Sequence, residues 1–160
     1  MIRITLFFTF ISFFASDILA QNELWQEKIL LDVNALRAKG CKCGSKTYPP
    51  APPLTWNNRL ELAANHHAAD MYKNKYFNHI DLTGKSGAER IDAVGYNWAV
   101  YGENIAQGQT SGKEAFIAWR KSPTHCENLM KKDFREMGVS VVGDYWVQEF
   151  GTLLKKKTAK

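Results

Sequence analysis

The chain has 160 residues, of which 45% are apolar, and a net charge of +5. That length suits a single folded domain once the N-terminus is discounted. The basic excess is accompanied by no Gly-rich phosphate loop and no basic-aromatic ladder, so nucleic acid is not expected as a partner.

The first twenty residues read as an export signal. Arg3 precedes the apolar run Ile4 to Phe14, Ser16-Asp17 breaks it, and Ala20 is small enough for cleavage. The run is shorter than the ~20 residues a spanning helix needs, so no membrane-spanning segment is expected after cleavage. The expected division is a signal peptide over 1–20, a domain over 21–153 and a basic tail over 154–160, in a secreted or periplasmic monomer. Lys155, Lys156, Lys157 and Lys160 give that tail a weak attraction for anionic wall polymers or lipid surfaces.

Trp25, Ile29, Val33 and Leu36 recur at helical spacing and predict a helix over 21–39, with Gly40 as its stop. Cys41 to Pro53 is expected to be a loop, closing on a proline-rich stretch. Three cysteines, Cys41, Cys43 and Cys126, leave one over if a pair forms. A bridge between Cys41 and Cys43 would be strained, whereas one from either of them to Cys126 would close a long loop, worth about 4 kcal/mol. A zinc site on Cys41-x-Cys43 lacks its usual second half.

Asn58-Arg59-Leu60-Glu61 has capping-box spacing and predicts a helix to about Lys75, with Leu60, Ala64, His67 and Met71 on one face. Ser86-Gly87-Ala88-Glu89 opens a shorter helix that stops at Gly95, and Ser111-Gly112-Lys113-Glu114 opens one that ends before Pro123. Tyr101 to Ala106, Val139 to Val142 and Tyr145 to Phe150 read as strands, the last two joined by a Gly143-Asp144 hairpin turn. Four helices and a small antiparallel sheet imply an α+β layered domain.

Leu54-Thr55-Trp56-Asn57, Phe77-Asn78-His79, Gly102-Glu103-Asn104-Ile105-Ala106, Ser122-Pro123-Thr124-His125, Met137-Gly138-Val139 and Tyr145 to Gly151 follow one another in this order. In that order the chain resembles the CAP superfamily, the SCP-like group of cysteine-rich secretory, antigen 5 and pathogenesis-related proteins, in its bacterial-type branch. The resemblance implies a three-layer α-β-α sandwich. It also implies a cleft holding His79, Glu103 and His125, with Ser122 where a second family glutamate stands, so that a cluster of four is reduced to three. A disulfide between Cys43 and Cys126 is implied in the same way.

Two histidines and a carboxylate are the ligand types of an open zinc site, so His79, His125 and Glu103 are the candidate set for a divalent metal such as Zn2+. Glu103 is the candidate general base. Against that stands a structural carboxylate tying loops together. Asp81 either orients His79 or caps the next turn, and His67 is expected in the core with His66 outward. Asn104 is expected to satisfy backbone groups at a turn and, with Ser122, to line the groove. The expected function is a non-catalytic module that binds a lipid-like or cell-wall ligand or associates with the envelope. The alternative is a metal-dependent hydrolase of peptide or wall substrates.

Overall fold

A computed structural model describes residues 25–155, so the expected signal segment 1–20 and the end of the basic tail lie outside the described residues. Helix α1 covers 25–39. Then come β1 (Cys41–Cys43), β2 (Lys46–Tyr48), β3 (Thr55–Trp56), α2 (Asn58–Asn74), α3 (Gly87–Ala93), β4 (Trp98–Gln107), α4 (Gly112–Lys121), α5 (Pro123–Met130), β5 (Glu136–Val142) and β6 (Tyr145–Leu153).

Four strands make one sheet in the order β3-β5-β6-β4, with β3 parallel to β5 and the other neighbours antiparallel. Side chains alternate across each strand, so β4 and β6 feed two cores. Ile105, Tyr145 and Val147 pack on Ala64, Ala68 and Met71 of α2. Ala106, Trp146 and Phe150 point the other way, toward Ile29 and Val33 of α1, Trp119 of α4 and Leu129 of α5. The result is the α-β-α sandwich the sequence implied. Its layers approach closely at Gly138, where a Cβ would lie 2.1 Å from the Glu61 nitrogen.

Several local expectations change. Cys41 to Pro53 is not all loop. Cys41 pairs with Tyr48 and Cys43 with Lys46 in a hairpin turning at Gly44, whose φ is +58°. Strands of three residues are too short to show a period. The cap of α2 is Asn57, one residue earlier than expected, and its side chain accepts from the backbone of Arg59 at 2.9 Å and Leu60 at 3.3 Å. Glu61 does not close a box there, because it accepts from Trp56 Nε1 at 2.9 Å and Gln26 Nε2 at 2.6 Å. The Ser86 box does form, with the Ser86 amide donating to Glu89 at 2.8 Å.

The sequence predicts no helix where α5 lies, because Pro123 reads as a breaker. It occupies the first helical position instead, where a missing N–H costs nothing. The Cys43–Cys126 bridge joins β1 to α5 across 83 residues and leaves Cys41 as a free thiol. Arg37 of α1 is fully buried and donates to the carbonyls of Pro52 (2.7 Å), Leu129 (2.7 Å), Lys131 (3.1 Å) and Phe134 (3.3 Å). Burial, helped by Arg135, lowers its pKa to about 10. One cation thereby fixes α1 to the loops flanking β3 and β5.

Candidate functional site

Strand β4 is an edge of the sheet, and the site straddles that edge. Glu103 lies on the α2–α3 face of β4, buried, directly across from Glu149 of β6. Three positive or polarisable groups converge on its carboxylate. His79 Nδ1 lies 2.6 Å from Oε1, Arg90 Nη2 donates to Oε2 at 2.5 Å, and His67 Nε2 is 4.0 Å from Oε2.

Each partner is held by the fold. Arg90 sits on the face of α3 that also presents Gly87 and Ile91, so its guanidinium is carried inward with the apolar stripe. There it also donates to the carbonyls of Lys85 at 3.0 Å and His79 at 2.9 Å. His67 projects from the buried face of α2, and its Nε2 is 2.9 Å from the Asn78 carbonyl. Nε2 therefore carries the proton. The loop carrying His79 is thus gripped at residue 78 by His67 and at residue 79 by Arg90. Asp81 does not orient His79. Its Oδ1 accepts from the backbone of Thr83 (2.8 Å) and Lys85 (2.9 Å) and so caps the turn. His66 is exposed, as expected.

The charges follow from these contacts. Burial pushes Glu103 upward, but the His79 hydrogen bond, the Arg90 charge and a hydrogen bond with Glu149 outweigh it and hold Glu103 at about 2. Glu149 goes the other way. Burial raises it well above the usual carboxylate range, and the neighbouring Glu103 charge adds to the effect. As an anion Glu149 would have no donor for either oxygen. As a neutral acid it donates to Glu103. Burial lowers His67, with Arg90 adding to it, so this imidazole stays neutral.

The second layer reaches the same edge from the opposite side. His125 stands in the first turn of α5, half-buried, and is lowered by burial and by the charge of His79. Asn128 of the same helix donates from Nδ2 to the Glu103 carbonyl at 3.0 Å and to Asn104 Oδ1 at 3.0 Å. Asn104 is not at a turn and does not face open solvent. It is fully buried in β4, donating to Gln148 Oε1 at 3.1 Å and to the His125 carbonyl at 3.3 Å. Ser122 stands at the N-cap position of α5 without a side-chain capping bond and is half-buried.

An open pocket of about 300 Å3 lies over this edge, bounded by His79, Ile80, Gly87, Tyr101 and Glu103 among others, with His125 and Ser122 outside its lining. His79 keeps half its side-chain surface exposed there. Among the described residues, the set of three potential ligand atoms within 4.8 Å of one another is Cys41, Cys43 and Cys126, not His79, Glu103 and His125.

Sequence reasoning passed over Arg90 and Glu149. Both carried a signal. Arg90 occupies an apolar-face position of its helix. Glu149 sits in the alternating strand Tyr145 to Gly151 at a position sharing a face with Val147, where an ionised side chain has no water.

Residues 30–150 match the family model described as the cysteine-rich secretory protein family, CAP. YkwD of Bacillus subtilis is 33% identical over 100 residues, covering 61% of this chain and 39% of YkwD. An extracellular protein containing an SCP domain from Bacillus anthracis superposes with a TM-score of 0.70 at 27% identity, over 79% of this chain and 39% of that one. An outer surface protein of Borrelia burgdorferi gives 0.69 at 22% identity, over 80% of this chain and 92% of its own, which speaks for the fold alone. The chain thus spans about two fifths of YkwD and of the Bacillus anthracis protein. With three quarters of its length inside the family model, two cores in the expected layers and the Glu103–His79 pair at the sheet edge, the chain belongs to the cysteine-rich secretory protein (CAP) family.

Proposed function

We propose that this is an extracytoplasmic binding module whose ligand rests against His79 at the open edge of β4, and that the site does no hydrolysis. The supporting observation is the state of Glu103. Both of its oxygens are engaged, by His79 at 2.6 Å and Arg90 at 2.5 Å, and it is held at about 2. A general base needs a free oxygen and a pKa near the working pH. Glu103 has neither and acts instead as the group that orients His79. The ligand class that suits a small open pocket with an imidazole, Tyr101 and Ile80 on its rim is a hydroxyl-bearing wall fragment or lipid headgroup. An extracytoplasmic location accords with the similarity to the extracellular Bacillus anthracis protein.

The test is thermal shift and native mass spectrometry of the purified chain with muropeptides and with phosphatidylglycerol, whose headgroup carries hydroxyls. Binding that is lost in His79→Ala, with no cleavage of any probe, is expected. Probe cleavage abolished in Glu103→Gln would contradict the proposal.

A second reading has one observation in its favour. A carboxylate on one imidazole nitrogen is how proteins orient and sharpen a metal-binding histidine. On that reading His79, through Nε2, and a neutral His125 hold a divalent metal, which would polarise a bound carbonyl or water. Glu103 serves it through His79 rather than as a ligand. Zinc titration by calorimetry separates the two, since binding at one equivalent that disappears in His125→Ala supports the metal site.

A further inference from the structure

The cysteines form a second candidate site, away from the edge of β4. Cys41 and Cys43 are two apart on β1, so they share one face of the hairpin, and α5 lays Cys126 against that face. Cys41 Sγ is 3.6 Å from Cys126 Sγ and 3.7 Å from Cys43 Sγ. Near-equal distances put the free sulfur broadside to the 43–126 bond. Displacement at a disulfide runs along the S–S axis, so in this geometry Cys41 is not placed to swap the bridge. The distances suit a different chemistry. In a tetrahedral zinc site with Zn–S of about 2.3 Å, the sulfurs lie about 3.8 Å apart. Cys41 already stands at that separation from both partners. Opening the bridge needs only to move Cys43 and Cys126 apart to complete the triangle.

We propose that Cys41, Cys43 and Cys126 make a redox-selected staple: a disulfide when oxidised, a three-thiolate zinc site when reduced. Two molecules of a small thiol reduce the bridge. The 43–126 bond breaks, each sulfur gains a hydrogen, and the small thiol leaves as its own disulfide. Zinc then displaces the three thiol protons and takes water in its fourth position, reached past the partly exposed Cys41. Either form fastens the hairpin to α5, the helix that presents His125 and Asn128 to the sheet edge.

The experiment titrates the full chain, reduced and freed of chelator, with Co2+ and then with Zn2+. One equivalent of cobalt should give a thiolate charge-transfer band that zinc bleaches. The oxidised chain should give none, His79→Ala should keep the band, and Cys41→Ser should bind at least roughly 100-fold more weakly, since losing a ligand costs more than losing an outer-shell partner. If the reduced apo chain unfolds, one equivalent of zinc should restore its far-UV circular dichroism. A reduced chain with no band and no zinc-dependent refolding, or Cys41→Ser matching the parent, overturns the proposal.

Discussion

At the scale of single residues, the site is a buried ionic cluster in which each proton has a place. Glu103 is the anion, Arg90 the cation, Glu149 and His67 the neutral members. Removing the cation alone leaves a buried anion uncompensated, so Arg90→Met should cost about 3–5 kcal/mol in urea unfolding. The same change should loosen the loop at His79, read as faster amide exchange over residues 78–86. Glu149 gives an independent check. Its folded pKa lies above its unfolded value, so its contribution is complete below about 4.5 and shrinks as pH rises. The loss runs at about 1.4 kcal/mol per pH unit until the folded group ionises. Glu149→Gln keeps a donor toward Glu103 and removes that slope. Its melting temperature should therefore overtake the parent's as pH rises from 5 to 8, and a gap that ignores pH would refute the assignment. Much of this cluster was legible in the sequence. Glu103, His79 and a core His67 stand out by motif and by helical face. The partner of Glu103 did not, because it lies across a strand pair 46 positions along the chain, and only the register of Glu103 with Glu149 reveals it.

Elements were easier to foresee than their ends. Long amphipathic or alternating segments marked out α2, β5 and β6. Short ones were lost: β1 and β2 have three residues each, and α5 hides behind a proline. Capping boxes proved a weaker guide than a start signal. Glu61 and Glu114 satisfy other donors, Glu114 reaching the Thr110 amide at 2.8 Å, and only Glu89 closes its box. What sets the spacing of α2 on the sheet is Gly138. A methyl there would meet the Glu61 nitrogen at 2.1 Å and the Leu60 carbonyl carbon at 2.6 Å, both backbone atoms that cannot turn aside. Gly138→Ala should therefore destabilise by about 3 kcal/mol, the upper end of overpacking costs. It should also shift the His67 contacts carried by α2. A neutral outcome in thermal unfolding would mean that the helix can slide.

For the whole molecule, the described residues form one sandwich closed by a single bridge between its hairpin and α5. Cys126→Ser, which leaves neither Cys41 nor Cys43 a distant partner, should lower stability by about 4 kcal/mol under oxidising conditions, measured by urea unfolding, if closure of an 83-residue separation acts through chain entropy. Acid should act in two stages. His67 and His125 are depressed below 6.5, so the stability they hold is complete above that value and begins to fall below it. Glu103 follows, its share lost as pH drops from about 4.5 toward 2. The site as described depends most on Glu103 being a pinned anion rather than a base. A carbon-13 NMR titration of the glutamate side-chain carboxyls, with Glu103 assigned through Glu103→Gln, measures this directly. The prediction is a Glu103 resonance that keeps its ionised shift down to a midpoint of about 2, or to the acid unfolding of the chain if that comes first. A midpoint near 4.5, the ordinary glutamate value, in the still-folded protein would contradict it.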